Sequence, residues 1–347
     1  MYESYYGLTG KPFQLNPDPS FYFGSRGHKR AFAYLEYGLY QSEGFIIITG
    51  EIGAGKTTIV RSLQEQLDPA KVVAAQIVST QLDADDMLRA VGVAFGLPVR
   101  SVDKAVLLAS LEAFLCQLAV EKKRALLIVD EAQNLTNRAV EELRMLSNFQ
   151  LGDQALLQSF LVGQPELREM MQSPAMQQLR QRVIASYHLG PLDHAETQAY
   201  IEHRLKHVGW KDDPRFEPAC FELIHSLTGG IPRRINTLCN RLLLAAFLAE
   251  KHVLGTADVR AIALEINEEL GPDSALGSVN MPEGNGGSAT ELALPPRTEA
   301  KLWHTHFEKI EERIDRLERT VGAAVDLLHR LLHPEKTTTK PGQPAGG

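Results

Sequence analysis

Long apolar runs are scarce in this chain. The longest, Leu242 to Ala249 (LLLAAFLA), falls far short of the roughly 20 residues that span a bilayer, so no membrane insertion is expected. Cysteine is nearly absent too. Cys116, Cys220 and Cys239 lie far apart, each within an apolar helical pattern, which argues against a disulfide framework or a thiolate metal cluster and suits reduced core thiols. The opening MYESYYGLTGKPF has no basic stretch followed by an apolar one, so no secretory signal is read and the expected location is the cytosol. Positive charge is also short, with 36 Lys and Arg against 43 Asp and Glu and a net charge of −7. That balance supplies no general attraction for nucleic acid.

What is present is the composition of a globular protein, 44% hydrophobic and 23% charged over 347 residues, a length that suits two domains and a tail. Residues 44 to 49 (GFIIIT) are a short apolar, β-branched run that reads as a strand buried on both faces. Further strands are expected at Val72 to Thr80, Ala125 to Val129, Leu157 to Gly163 and Ile184 to Leu189. Helical patterns lie between them, at Asp83 to Phe95, Asp103 to Val120 and Arg138 to Phe149. The second is read as closed by Lys122, Lys123 and Arg124, cations that complement a helix C-terminus. Strands alternating with helices predict an α/β fold with a parallel sheet covered on both faces.

From Asp193 to about Leu270 the patterns are helical only, including Ala195 to Val208, Pro218 to Leu227 and a long helix opened by Pro232. Residues 271 to 300 are rich in Gly, Pro, Ser and Asn and read as a flexible linker. Beyond it Phe307, Ile314, Val321 and Leu328 share one heptad position and Ile310, Leu317, Ala324 and Leu331 its partner, a coiled-coil signal over residues 301 to 334. Residues 335 to 347 read as a disordered tail. The expected domains are therefore 1 to 192 (a P-loop core), 193 to 270 (a small helical domain), linker, coiled coil and tail.

The segment Gly50, Glu51, Ile52, Gly53, Ala54, Gly55, Lys56, Thr57, Thr58 matches G-x-x-x-x-G-K-[ST] between an expected strand and an expected helix. Glycines let consecutive N–H groups face a phosphate, and the helix adds its positive end. Lys56 is placed to reach the β- and γ-phosphates of ATP, and the Thr57 hydroxyl to hold Mg²⁺. Hydrolysis depends on LLIVDE, where Asp130 and Glu131 end a buried apolar strand. Adjacent buried carboxylates are costly to ionise without a cation. With one, Asp130 orders the Mg²⁺ water shell and Glu131 polarises the attacking water. A plainer reading of the acidic pair is a helix N-cap signal before Thr136. Ser79 and Thr80 could hold Glu131 inactive or cap the next helix. His203 and His207 are four apart on a helix, but HRLKH is not a zinc motif.

The extra strand between loop and acids belongs to the P-loop branch with a glutamate base. Taken together, MYESYYGLTGKPFQLNPDPSFYFGSRGH, GEIGAGKTT, LLIVDEAQNL, EELRMLSNF, FLVGQPEL, LRQRV and TGGIPRRIN resemble the AAA+ secretion ATPases of the general-secretion-pathway protein A (ExeA) type. The nearest resemblance is to the subfamily encoded beside exosortase (PEP-CTERM) and exopolysaccharide genes. It covers roughly residues 1 to 270 and implies an Mg²⁺-dependent ATPase with a helical lid, working as a homo-oligomer on secretion or polysaccharide-export components. Any link to the inner membrane would run through a partner. The resemblance also implies roles for single residues. Gln164 matches the sensor-1 position. Arg182, or failing it Arg180, sits where a finger reaches a neighbouring subunit's nucleotide. Arg233 matches the sensor-2 arginine of the lid. Independently, Arg233 and Arg234 stand in the first turn of a helix, where the dipole disfavours cations and an anionic partner would explain them. A DNA-associated AAA+ regulator or loader shares this core and is the alternative, with nucleic acid the weaker expectation.

Overall fold

The computed structural model describes residues 1–78, 82–99 and 103–270. Its centre is a parallel sheet of β1 (Phe45–Gly50), β2 (Val72–Val78), β3 (Arg124–Asp130), β4 (Leu157–Gly163) and β5 (Val183–Leu189), in the order β2-β3-β4-β1-β5. Pairing of Thr49 with Gly163 and of Val129 with Leu161 brings the C-terminal ends of β1, β3 and β4 side by side. In open α/β sheets that edge is where ligands bind.

The central strands are apolar throughout because both faces are covered. Phe45, Ile47, Leu127, Val129 and Leu161 face one apolar layer, formed with α4 (Ala84–Ala94), α5 (Lys104–Val120), α6 (Asn137–Leu146) and α7 (Pro165–Gln172). Ile46, Ile48, Leu126, Ile128, Phe160 and Val162 face the other, formed with α2 (Arg26–Gln41) and α3 (Lys56–Gln66). Alternate residues of each strand thus serve opposite faces, as the two-residue period of a strand requires. Lys122 to Arg124 depart from the expectation. None stands in the last turn of α5; Lys122 takes a left-handed φ of 58°, and Arg124 opens β3 and donates to the Leu39 carbonyl at 2.7 Å.

After β5 the chain forms a helical body of α9 (His194–His207), α10 (Pro218–Thr228), α11 (Pro232–Leu248) and α12 (Thr256–Leu270). Its core also takes in Tyr2 of α1 (Tyr2–Tyr5), Tyr6, Leu8 and Phe13, residues expected with the 1 to 192 unit. The rings bury apolar area while their hydroxyls stay satisfied: Tyr2 donates to Asn240 at 2.9 Å and Tyr6 to the Lys251 carbonyl at 2.9 Å. Cys220 and Cys239 are buried in this core and Cys116 is half-buried in α5. Among the described residues no helix is long and apolar enough to cross a membrane. The linker, the heptads from Phe307 to Leu331, the tail, and Ser79 and Thr80 lie outside the described residues.

Candidate active site

The phosphate-loop segment turns between the end of β1 and the start of α3. Gly55 is the N-cap at φ 100°, and a bond from Ala54 N–H to the Glu51 carbonyl closes the turn at 3.1 Å. Gly53 stands at φ +83°, and a Cβ there would lie 2.3 Å from Arg233 Cβ. Glycine is therefore required both by the backbone and by the close approach of α11, whose Arg233 N–H donates to the Gly53 carbonyl at 3.1 Å. Lys56 is buried, and its Nζ donates to the carbonyls of Gly50 at 2.7 Å and Glu51 at 3.0 Å. Burial holds this amine below its ordinary pKa, against the pull of Glu131, Asp130 and Glu51. Ile52, Gly53, Gly55, Lys56, Thr57 and Thr58 all line one cleft of about 250 Å³.

Thr57 of the cleft wall and Asp130, far apart in sequence, meet: Thr57 Oγ1 donates to Asp130 Oδ2 at 3.0 Å. Burial pushes Asp130 up, while the Thr57 hydroxyl and the Glu131 N–H, 3.0 Å from Oδ1, pull the other way and the Glu131 charge adds to the rise. A hydroxyl and one carboxylate are hard oxygen donors that suit Mg²⁺, which needs few protein ligands when substrate phosphates complete its shell. Among the described residues no cluster of three or more His, Cys, Asp or Glu forms a metal cage.

Glu131 leaves the strand with φ 54° and ψ 38°, a left-handed conformation uncommon outside glycine. Its Oε2 accepts from Gln133 Nε2 at 2.6 Å and from Gln164 Nε2 at 2.9 Å. Burial opposes its charge, but the amides of Gln133 and Gln164 and the Lys56 charge together hold this carboxyl below its ordinary range. The adjacent acids are thus driven in opposite directions. Neither caps α6, a task done by Thr136, which accepts from Ala139 N–H at 3.2 Å. Gln164 follows directly on β4, which ends at Gly163, and is the N-cap residue of α7, so strand and helix both fix its position.

The cleft has walls that, Arg233 apart, motif reading missed. Residues 14–18 and 21–23 form one side, and Tyr200, Arg204, Arg233 and Asn236 of the helical body another. Arg204 is 6% exposed, yet its acceptors are neutral: Nε donates to the Pro12 carbonyl at 2.6 Å, Nη1 to Tyr200 Oη at 2.8 Å and Nη2 to the Gln14 carbonyl at 3.4 Å. The guanidinium also sits 4.7 Å from the Phe21 ring centroid. His28 packs beneath the loop, its Nδ1 2.7 Å from Ser25 Oγ and its ring bonded to the Ala54 backbone; burial holds it below its ordinary pKa. His203 and His207 pack against Phe23 and Phe21. The only sequence sign of this wall is aromatic residues among prolines in FQLNPDPSFYF.

Arg180 and Arg182 are not brought to this cleft. Arg180, the last residue of α8 (Gln177–Arg180), donates through Nη1 to the carbonyls of Met171 at 2.5 Å and Ser173 at 2.7 Å, closing the end of α7. Arg182 binds Ser147 Oγ at 2.8 Å and the Asn148 side chain beyond the end of α6.

Residues 39–171 match the family model of the AAA domain. The match spans the glycine loop, Asp130, Glu131 and Gln164, and stops before Arg180, Arg182 and Arg233. General secretion pathway protein A of Aeromonas hydrophila is 40% identical over 269 residues, which are 77% of this chain and 49% of that protein. The chain thus spans about half the length of that relative. Among solved structures, the Aeropyrum pernix ORC2 protein in its ADPNP–ADP complexes superposes with a TM-score of 0.56 at 22% identity, over 74% of this chain and 71% of that one. Cdc6p from Pyrobaculum aerophilum gives a TM-score of 0.58 at 16% identity, over 75% and 72%. The fold is that of a P-loop AAA protein, a parallel α/β sheet with flanking helices.

Proposed function

We propose that this chain is an Mg²⁺-dependent ATPase that couples its nucleotide state to conformational change in a secretion or exopolysaccharide-export system, in the manner of an exosortase-locus relative of general secretion pathway protein A. The observation that carries the enzymatic part is the meeting of Thr57 and Asp130 at 3.0 Å, with Glu131 held one residue further on by two amides. The secretion context is supported by the 40% identity to General secretion pathway protein A.

In this reading the loop amides and Lys56 bind the ATP phosphates, and Lys56 exchanges its carbonyl partners for phosphate oxygens. Thr57 and Asp130 are the residues that would hold Mg²⁺, which would neutralise charge on the phosphates. Glu131 accepts a proton from the attacking water, and the Gln164 amide orients that water or the γ-phosphate. Arg233, whose backbone is already tied to Gly53, brings a cation to the phosphate end from the helical body, which serves as a lid. Arg182 or Arg180 acts on the nucleotide of a neighbouring copy in a homo-oligomer, since both lie away from their own cleft. Turnover per chain should then rise with protein concentration.

Likeness to ORC2 and Cdc6p is one of fold, and a net charge of −7 gives no general attraction for duplex DNA, so the secretion reading stands ahead of a DNA-associated regulator. The test is Glu131→Gln. It keeps the size of the side chain and removes the base, and turnover should fall about 10²- to 10⁴-fold with ATP binding retained. Unchanged turnover in the variant would remove Glu131 from the chemistry.

A further inference from the structure

Glu131 stands where the ladder no longer holds the chain. Its backbone has turned to φ 54°, so hydrogen bonds to its side chain must set the direction of its carboxylate. Those bonds come from Gln133 and Gln164, and the two glutamines are themselves joined: Gln164 N–H donates to Gln133 Oε1 at 3.0 Å. The result is a closed ring. Gln133 Nε2 donates to Glu131 Oε2 at 2.6 Å and Gln164 Nε2 to the same oxygen at 2.9 Å. Both donors occupy Oε2, so Oε1 is the oxygen left to face a water.

The seat of the Gln133 amide is built by its surroundings. Gln133 lies in the short turn Ala132–Asn134 whose Ala132 is fully buried, and a Cβ on Gly163 would lie 2.8 Å from Gln133 Oε1. We propose that Gln133 is the positioning residue that locks the base Glu131 to the β4–α7 turn bearing Gln164, one amide donating to the carboxylate and accepting from the turn. This rests on the ATPase reading above and adds a residue that reading does not use. A side chain able to do both jobs must carry donor and acceptor on one planar group, which Gln supplies.

A purely structural Gln133 would need only its acceptor, to satisfy the Gln164 N–H. Glu at this position keeps the acceptor and replaces the donor by a second carboxylate beside Glu131, so wild-type kcat in Gln133→Glu would show that only the acceptor matters. The experiment is steady-state ATP turnover of the full chain with Mg²⁺, for wild type, Gln133→Ala, Gln133→Glu, Gln164→Ala and the Gln133→Ala/Gln164→Ala double variant, with binding of a fluorescent ATP analogue as the check on folding. Gln133→Ala and Gln133→Glu should each lower kcat about 10- to 100-fold, the scale of misplacing a reacting group, with KM within about threefold. The double variant should lose less than the product of the single losses, because all three groups act as a ring. Wild-type kcat in Gln133→Glu, or losses that multiply in the double variant, would overturn the proposal while leaving the ATPase reading in place. Should Gln133→Ala fail to bind the analogue, Gln133→Glu alone decides. Absence of turnover in the wild type would instead bring down the ATPase reading, and this inference with it.

Discussion

Asp130 and Glu131 share a peptide bond but not an environment. Asp130 is buried beside one hydroxyl and rises in pKa, whereas Glu131 receives two amides and falls. Their identities were legible because the acids follow a continuous apolar strand and the lysine and threonine follow a glycine loop in register. Gln133 and His28 were not legible, since each owes its role to contacts that no local pattern announces. His28 gives a test at this scale. Burial lowers its folded pKa below the ordinary value of about 6.5, so between those two values the unfolded chain binds the extra proton and unfolding is favoured as pH falls. This contribution is fully present above pH ~6.5 and is lost as pH drops towards the folded value. His28→Asn should therefore show a shallower loss of stability on the acid side. Urea midpoints for both proteins at pH 7.5 and pH 5.5 would measure it, and equal slopes would show that His28 does not titrate on unfolding.

At the level of elements, the sheet strands were readable as short apolar runs because both faces are covered, and their observed bounds move by only a few residues. Helix α2 was missed for a physical reason. Its buried stripe is His28, Ala31, Leu35 and Gly38, mostly small or polar residues, while Tyr37 and Tyr40 point to solvent, so the apolar period is faint. The segment from Pro12 to Phe23 has no period at all, and Arg204 contacts it at Pro12, Gln14 and Phe21. Arg204→Ala would leave the Pro12 and Gln14 carbonyls without that partner and remove the cation from the Phe21 ring. The expected cost is about 2–4 kcal/mol of stability, together with weaker nucleotide binding, because residues 14–23 wall the cleft. Thermal unfolding and titration with a fluorescent ATP analogue would check both. A variant as stable as wild type would show that this segment holds its place without Arg204.

Across the whole molecule, the packed cores are not contiguous in sequence. The first thirteen residues pack in the helical body, the next ten reach over the cleft, and α2 returns the chain to the sheet. The helical body and the sheet are joined again where Arg26 N–H donates to Glu196 Oε1 at 2.8 Å and its guanidinium pairs with Asp193, and where Arg233 meets Gly53. The cleft is lined by residues 14–18 and 21–23, by His28 of α2, by the glycine loop and by Tyr200, Arg204 and Arg233 of the helical body, so a nucleotide there would touch sheet side and helical body together. The measurement that tests this most directly is a crystal structure of the chain with Mg²⁺ and a non-hydrolysable ATP analogue. The account predicts Lys56 Nζ on the phosphates instead of the Gly50 and Glu51 carbonyls, the metal at Thr57 beside Asp130, and Glu131 Oε1 facing the γ-phosphate. An analogue seated elsewhere, or a triphosphate bound with Asp130 and Glu131 turned away from it, would contradict it.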